Sequence, residues 1–107
     1  MRNELSSFFD TMEILSGAAR LTKNFTLGAM LYLIILLDDE SMNGWIYKTL
    51  KDWRDDFGFI TIWDKWRFDR LPYIEIKHAK VDGNWGTYYH LNRSKLDYAV
   101  AKLVNRS

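Results

Sequence analysis

The chain changes its hydrophobic period twice, and this limits it to a mixed fold in which a hairpin is set between helices. From Tyr73 the apolar residues alternate, with Ile74 and Ile76 set between Glu75 and Lys77. Thr87-Tyr88-Tyr89-His90-Leu91 reads as the returning strand. Alternation is the mark of a strand with one buried face. Asp82-Gly83-Asn84 between the runs is a hairpin turn signal, and Gly86 adds slack. A loop over 82–87 sets Val81 opposite Tyr88 and His78 opposite Leu91. Ile74, Ile76, Tyr89 and Leu91 then share the face that lies on the helices. Lys77 and His90 point away from it, while His78 and Lys80 fall on the apolar face near its open end.

On both sides of this hairpin the spacing is helical. Leu5, Phe8, Phe9, Met12 and Leu15 make an apolar stripe over residues 4–16, with Asn3 as cap and Gly17 as stop. A more apolar helix follows over 25–37, with Thr26 as its cap. It ends before or within Asp38-Asp39-Glu40, because acids at a helix C-terminus oppose the dipole. Trp45-Ile46-Tyr47 reads as a short strand. Thr49 caps a helix over 50–57 that carries Leu50, Trp53 and Phe57. Asp52 stands where a capping box wants Glu or Gln, and Gly58 ends the helix. A further helix over 61–71 starts near Thr61 and stops before Pro72. Ser94 caps a last helix over 95–105, lined on one side by Leu96, Val100, Leu103 and Val104.

A chain of 107 residues suits one domain, and no linker or repeat divides it. Five Trp, six Tyr and six Phe argue against disorder, since such side chains bury large areas. The absence of cysteine excludes disulfides and thiolate chemistry and fits a reducing cytoplasm. Met1-Arg2-Asn3-Glu4 does not open a signal peptide. The longest uncharged, mostly apolar run, Leu27 to Leu37, has eleven residues. A membrane span needs roughly 20, so this run reads as a buried helix.

The stretch Asn43-Gly44-Trp45-Ile46-Tyr47-Lys48-Thr49-Leu50-Lys51-Asp52-Trp53 resembles the opening of the winged-helix domains of phage and plasmid replication initiators. In those domains a glycine and an aromatic precede a short strand and a helix holding a Trp. Gly86-Thr87-Tyr88-Tyr89-His90-Leu91-Asn92-Arg93-Ser94-Lys95-Leu96 resembles the end of their wing. The likeness spans about residues 25–98. Leu71-Pro72-Tyr73-Ile74 departs from the usual Gly-Leu-Ile, and the turn Gly58-Phe59-Ile60 lacks the usual Ser or Thr run. The order helix, helix, strand, helix, turn, helix, hairpin, helix agrees with the same plan. The expectation is therefore an α+β, mainly α, winged helix-turn-helix. Residues 1–24 form a helical extension, 25–71 the helical core, 72–93 the wing and 94–107 the C-terminal helix.

The resemblance implies binding to double-stranded DNA in replication initiation, partition or transcriptional regulation. The setting is a phage, plasmid or virus-like element, in the cytoplasm of the cell or host. Charge distribution agrees. Residues 1–44 hold three basic and six acidic side chains, whereas residues 45–107 hold twelve and eight. On the helix over 61–71, Thr61, Lys65, Arg67 and Arg70 are candidates for guanine edges or phosphates. The alternative is that Arg67 and Arg70 pair with Asp64 and Asp69 on a solvated face. On the wing, Lys77, Lys80, Asn84, Trp85 and Arg93 are candidates for backbone or minor-groove contacts, with His78 beside them. Trp85 either packs on sugar rings or folds back onto the core. Lys48 and Lys51 flank a helix start that can hold a phosphate.

Aromatics surround the helix over 61–71, so a second reading is a protein-interaction module anchored by Trp63, Trp66 and Phe68. The stripe of the first helix either covers its own core or pairs with a second copy; the expectation is a homodimer, which matches a two-fold operator. Enzyme chemistry is not expected. His78 and His90 fall on opposite faces, and no metalloprotease or phosphate-loop pattern is present. Asp38, Asp39 and Glu40 read as an exposed acidic turn. No cofactor or metal is expected.

Overall fold

The computed structural model describes residues 14–105. A helix over 14–22, α1, leads into α2 (Phe25–Glu40), β1 (Ile46–Lys48), α3 (Leu50–Asp56) and α4 (Ile62–Asp69). The hairpin β2 (Ile74–Val81) and β3 (Asn84–Leu91) follows, and α5 (Arg93–Asn105) closes the chain. The first part of the expected 4–16 helix, with Phe8, Phe9 and Met12, lies outside the described residues.

Side chains at the helix starts fix where each begins. The Asn24 side chain accepts the Leu27 amide and caps α2, two residues earlier than the expected Thr26. Thr49 caps α3, and Asp52 completes the box by accepting the Thr49 amide at 2.9 Å. Thr61 and Asp64 repeat the device on α4. At α5 the Asn92 side chain accepts the Lys95 amide at 3.0 Å, so Asn92 takes the role expected of Ser94. An aspartate serves as well as a glutamate here because its carboxylate reaches the same orphan amide.

Two helix ends differ from expectation for physical reasons. Gly17 does not stop α1; the helix ends at Lys23, which takes the left-handed conformation with φ 59°. The helix α2 runs on through Asp38-Asp39-Glu40, which were expected as turn residues. The unfavourable acids are neutralised from α5, because Arg93 bridges both Asp38 and Asp39 at 2.8 Å.

The three strands form one antiparallel sheet in the order β1-β3-β2. Asp82 and Gly83, with φ of 51° and 81°, make a two-residue turn, which pairs Val81 with Asn84. The expected six-residue loop is therefore wrong, and His78 faces Thr87 rather than Leu91. The tight turn wins because its twist matches that of the strands. Gly86 belongs to the strand and leaves room for Tyr47. A Cβ there would meet the Tyr47 ring at about 2.5 Å. The slip is an even number of residues, so the faces keep their expected members. Ile74, Ile76, His78 and Lys80 share the helix side with Trp85, Thr87, Tyr89 and Leu91.

The core lies between that face and the helices. Met30, Leu31 and Ile34 of α2, Trp53 of α3, Phe68 of α4 and Tyr89 of β3 are 0% exposed. The rings of Trp53, Phe68 and Tyr89 meet edge-on in all three pairs, at 5.4–5.7 Å. Such contacts add to the apolar burial.

The pair α1 and α2 crosses at Gly28, where a Cβ would lie 2.5 Å from the Ala19 Cα. Gly28→Ala gains helix propensity but forces the two backbones apart. A net loss of about 1–3 kcal/mol is expected from overpacking. Urea denaturation followed by tryptophan fluorescence measures it; an unchanged or higher midpoint would contradict the close crossing. Among the described residues no helix is long and apolar enough to cross a membrane.

Candidate nucleic-acid interface

The helix α4 divides into two faces. Lys65 and Phe68 point inward and are buried. Trp63, Trp66, Arg67 and Arg70 point outward, at the spacing i, i+3, i+4 and i+7. Trp63 and Trp66 are 64% and 47% exposed, and their rings meet edge-on at 5.1 Å.

Both carboxylates of α4 are used locally. Asp64 accepts the amide and hydroxyl of Thr61. Asp69 accepts Lys65 Nζ at 2.7 Å and the Tyr89 hydroxyl at 2.6 Å. The pairing of Arg67 and Arg70 with these two aspartates therefore does not form. Among the described residues neither arginine has an ion-pair partner.

A buried polar chain holds α4 on the sheet. Trp53 Nε1 donates to the Tyr89 hydroxyl at 3.3 Å, and that hydroxyl donates to Asp69. Lys65 Nζ also donates to Thr87 Oγ1 at 3.1 Å. Thr87 Oγ1 in turn lies 3.2 Å from His78 Nδ1. Burial, reinforced by the neighbouring Asp69 charge, pushes the Tyr89 hydroxyl far above the ordinary tyrosine value.

The chain ends at a groove between α4 and the hairpin. Two adjoining depressions share Lys65 and His78. One, of about 340 Å³, is walled by Trp66, Arg70 and Ile76. The other, of about 440 Å³, is walled by Leu50, Ile62 and Trp85. Trp85 is 70% exposed, so it is not folded onto the core. Lys80 pairs with it across the hairpin and is also exposed.

Of the expected site, Arg70 and Trp85 line these two adjoining depressions, Lys80 faces Trp85 across the hairpin, and Arg67 is exposed on α4. Trp66 and His78 line the depressions too, and Trp63 packs against Trp66. His78 was expected beside the wing candidates, whereas the two tryptophans were not among the expected DNA contacts. The spacing of the two tryptophans with Arg67 and Arg70 was the sequence signal for one shared face.

Other candidates lie elsewhere. Lys48 is 6% exposed, ion-paired with Asp56, and its ammonium sits 4.6 Å from the centre of the Trp53 ring. Lys65 is 8% exposed and held in the buried chain. Both were expected at the surface. Each is drawn inward with an aspartate partner, the buried Asp69 one turn on for Lys65 and the exposed Asp56 at the end of α3 for Lys48. Arg93 is tied to Asp38 and Asp39 rather than free on the wing. Thr61 is a cap. Lys51 is exposed but bonded to Asp55 at 2.8 Å, a contact that raises its pKa. Lys77 pairs with Tyr88 on the sheet face away from α4. The backbone oxygen of Asn84 accepts the Tyr47 hydroxyl at 2.9 Å. Phe68 is fully buried and cannot anchor a partner protein.

His78 and His90 do lie on opposite faces of the sheet. His90 Nδ1 is 2.8 Å from the Gly44 carbonyl oxygen. Among the described residues no cluster of three metal-ligating side chains exists. Comparison with known protein families, curated proteins and solved structures finds no match to this chain.

Proposed function

We propose that this domain is a winged helix-turn-helix that binds double-stranded DNA. In this reading α3 and α4 form the helix-turn-helix, α4 enters the major groove, and the β2–β3 hairpin is the wing. The element order and the sheet order β1-β3-β2 support it. The observation that carries it is the outward face of α4. Arg67 and Arg70 have no ion-pair partner there among the described residues, while Asp64 and Asp69 are turned to a cap and to the core. Eight helical residues span about 12 Å, close to the width of the groove.

Arg67 and Arg70 meet base edges or phosphates, and Lys80 and Trp85 meet the backbone beside them. Lys51 and Lys77, on the flanks, add phosphate contacts. The biological role this serves is replication initiation, partition or transcriptional regulation in a mobile element. Two copies on a two-fold site complete the reading.

Selection from a random duplex pool, at low and then near-physiological salt, tests it. Binding is expected to weaken as salt rises, because phosphate contacts release counterions. Arg67→Ala and Arg70→Ala should each weaken binding, and each should reduce the salt slope by roughly one if its contact is to phosphate. A two-fold motif among the recovered sequences supports the dimer. Absence of binding at either salt overturns the proposal.

The exposure of Trp63 and Trp66 favours a second reading, a partner protein docked on α4. That contact would be nearly independent of salt and lost in Trp63→Ala.

A further inference from the structure

Intact duplex DNA offers a protein the edges of its bases and its phosphates, but hides the faces of the bases in the stack. The surface around α4 is furnished for faces as well as edges. Trp63, Trp66 and Trp85 are 64%, 47% and 70% exposed. Leaving indole rings in water is unfavourable unless they have a ligand. Trp66 and Trp85 stand on the walls of the two depressions that meet at Lys65 and His78. Arg70 lines the first of these depressions, and Arg67 and Lys80 are exposed on the same helix and hairpin. The lining therefore sets Trp66 beside Arg70 in one depression and Trp85 in the next, with Asp69 held inward by Lys65 and Tyr89. Aromatic surface with cations nearby is the combination that binds unstacked bases along a phosphate backbone.

The floor adds a polar group. His78 Nδ1 is engaged by Thr87, and its Nε2 has no partner among the described residues. A base edge entering the groove reaches this imidazole, which lines both depressions. The depressions, about 340 and 440 Å³, fall within the size range of small-ligand sites.

We infer that the α4–hairpin groove receives an unpaired nucleobase, so that the domain prefers duplex DNA carrying an unpaired base to fully paired duplex. The inference rests on the DNA-binding reading and names the form of DNA that the site selects. Arg67 and Arg70 hold the flanking duplex, and Trp66 and Trp85 stack on the extruded base.

Three labelled probes of matched sequence test this by fluorescence anisotropy. One is an intact duplex of about 20 base pairs, one carries a single central unpaired thymine, and one is the single strand. One base stack is worth about five- to 150-fold in affinity. A preference of at least fivefold for the bulged probe over the intact duplex is therefore expected. Trp66→Ala should remove that preference and leave binding to intact duplex within about twofold, whereas Trp85→Ala should remove the preference and also weaken intact-duplex binding, since Trp85 meets the backbone there. Both residues are exposed, so these variants should fold, and circular dichroism checks that they do. Arg67→Ala should weaken binding to both duplexes alike.

Equal affinity for intact and bulged duplex would overturn the inference and leave the DNA reading standing. So would a preference that survives in both tryptophan variants. Binding to none of the three probes at low salt would overturn both.

Discussion

Replacing Asp69 by alanine will lower the stability of the domain by about 3–5 kcal/mol, the usual cost of breaking a buried ion pair from one side. The side chains of Lys65 and Asp69 are 11% and 9% exposed. Without Asp69 the Lys65 ammonium remains below the surface with only the Thr87 hydroxyl as a partner. The Tyr89 hydroxyl also loses its acceptor inside the core. Small domains carry about 5–15 kcal/mol in total, so a large share is at stake. The double variant Lys65→Met with Asp69→Leu removes both charges together. It should cost much less than the sum of the single changes, because neither leaves a charge behind. Guanidinium denaturation of the four proteins completes the cycle. A single variant within about 1 kcal/mol of the parent would show that the pair is not buried as described. The consequence reaches the interface, because this chain seats α4 on the hairpin and so aims Arg67 and Arg70 outward.

Much of this arrangement could be read from local patterns, and the failures have local causes too. Thr49 was legible as a cap because an aspartate follows three residues later; the same spacing of Thr61 and Asp64 fixes the start of α4, where Thr61 was expected as a DNA contact. Asn24 and Asn92 were passed over for the hydroxyl residues Thr26 and Ser94, two residues further on in each case. The extension of α2 through three acids depends on Arg93, which is far away in sequence, so no local rule reveals it. The hairpin faces were legible because only the parity of the register matters for them. The register itself was not, since Gly86 looked like loop material until Tyr47 was seen to lie across it. At the interface, Arg67 and Arg70 stood out by type. Lys48 and Lys65 stood out equally, yet both are buried. Whether a lysine reaches solvent is decided by how its element packs, as for Lys65 against Thr87 and Lys48 against the Trp53 ring, not by residue type. Of the three aromatic anchors expected on α4, Trp63 and Trp66 lie outside as expected and Phe68 does not, because its helical phase turns it to the core.

Alkali will unfold the domain as pH rises past 10, before any effect of the arginines. Tyr89 and Tyr73 are 0% and 3% exposed. Burial pushes the Tyr73 hydroxyl up to about 12, and Tyr89 is pushed further. In the unfolded chain both titrate near 10. Below that value both states carry both protons, and the stabilising effect is fully present. Above it the unfolded chain releases two protons that the native fold retains. Stability then falls by about 1.4 kcal/mol per pH unit for each tyrosine, until Tyr73 itself ionises near 12. Two units of pH therefore remove on the order of 5 kcal/mol, comparable to the whole stability of a small domain. Urea midpoints measured from pH 8 to 11.5 should be governed by this slope above 10. Tyr89→Phe keeps the ring among Trp53 and Phe68 but removes one titrating hydroxyl, so its slope should be about half as steep. Its stability at pH 8 should be lower, because Asp69 and Trp53 each lose a partner. The two effects have opposite signs at the two ends of the pH range, so the curves of variant and parent should converge as pH rises. Parallel curves would mean that the Tyr89 hydroxyl ionises as readily in the fold as outside it, and the buried chain from Trp53 to His78 would then have to be open to water.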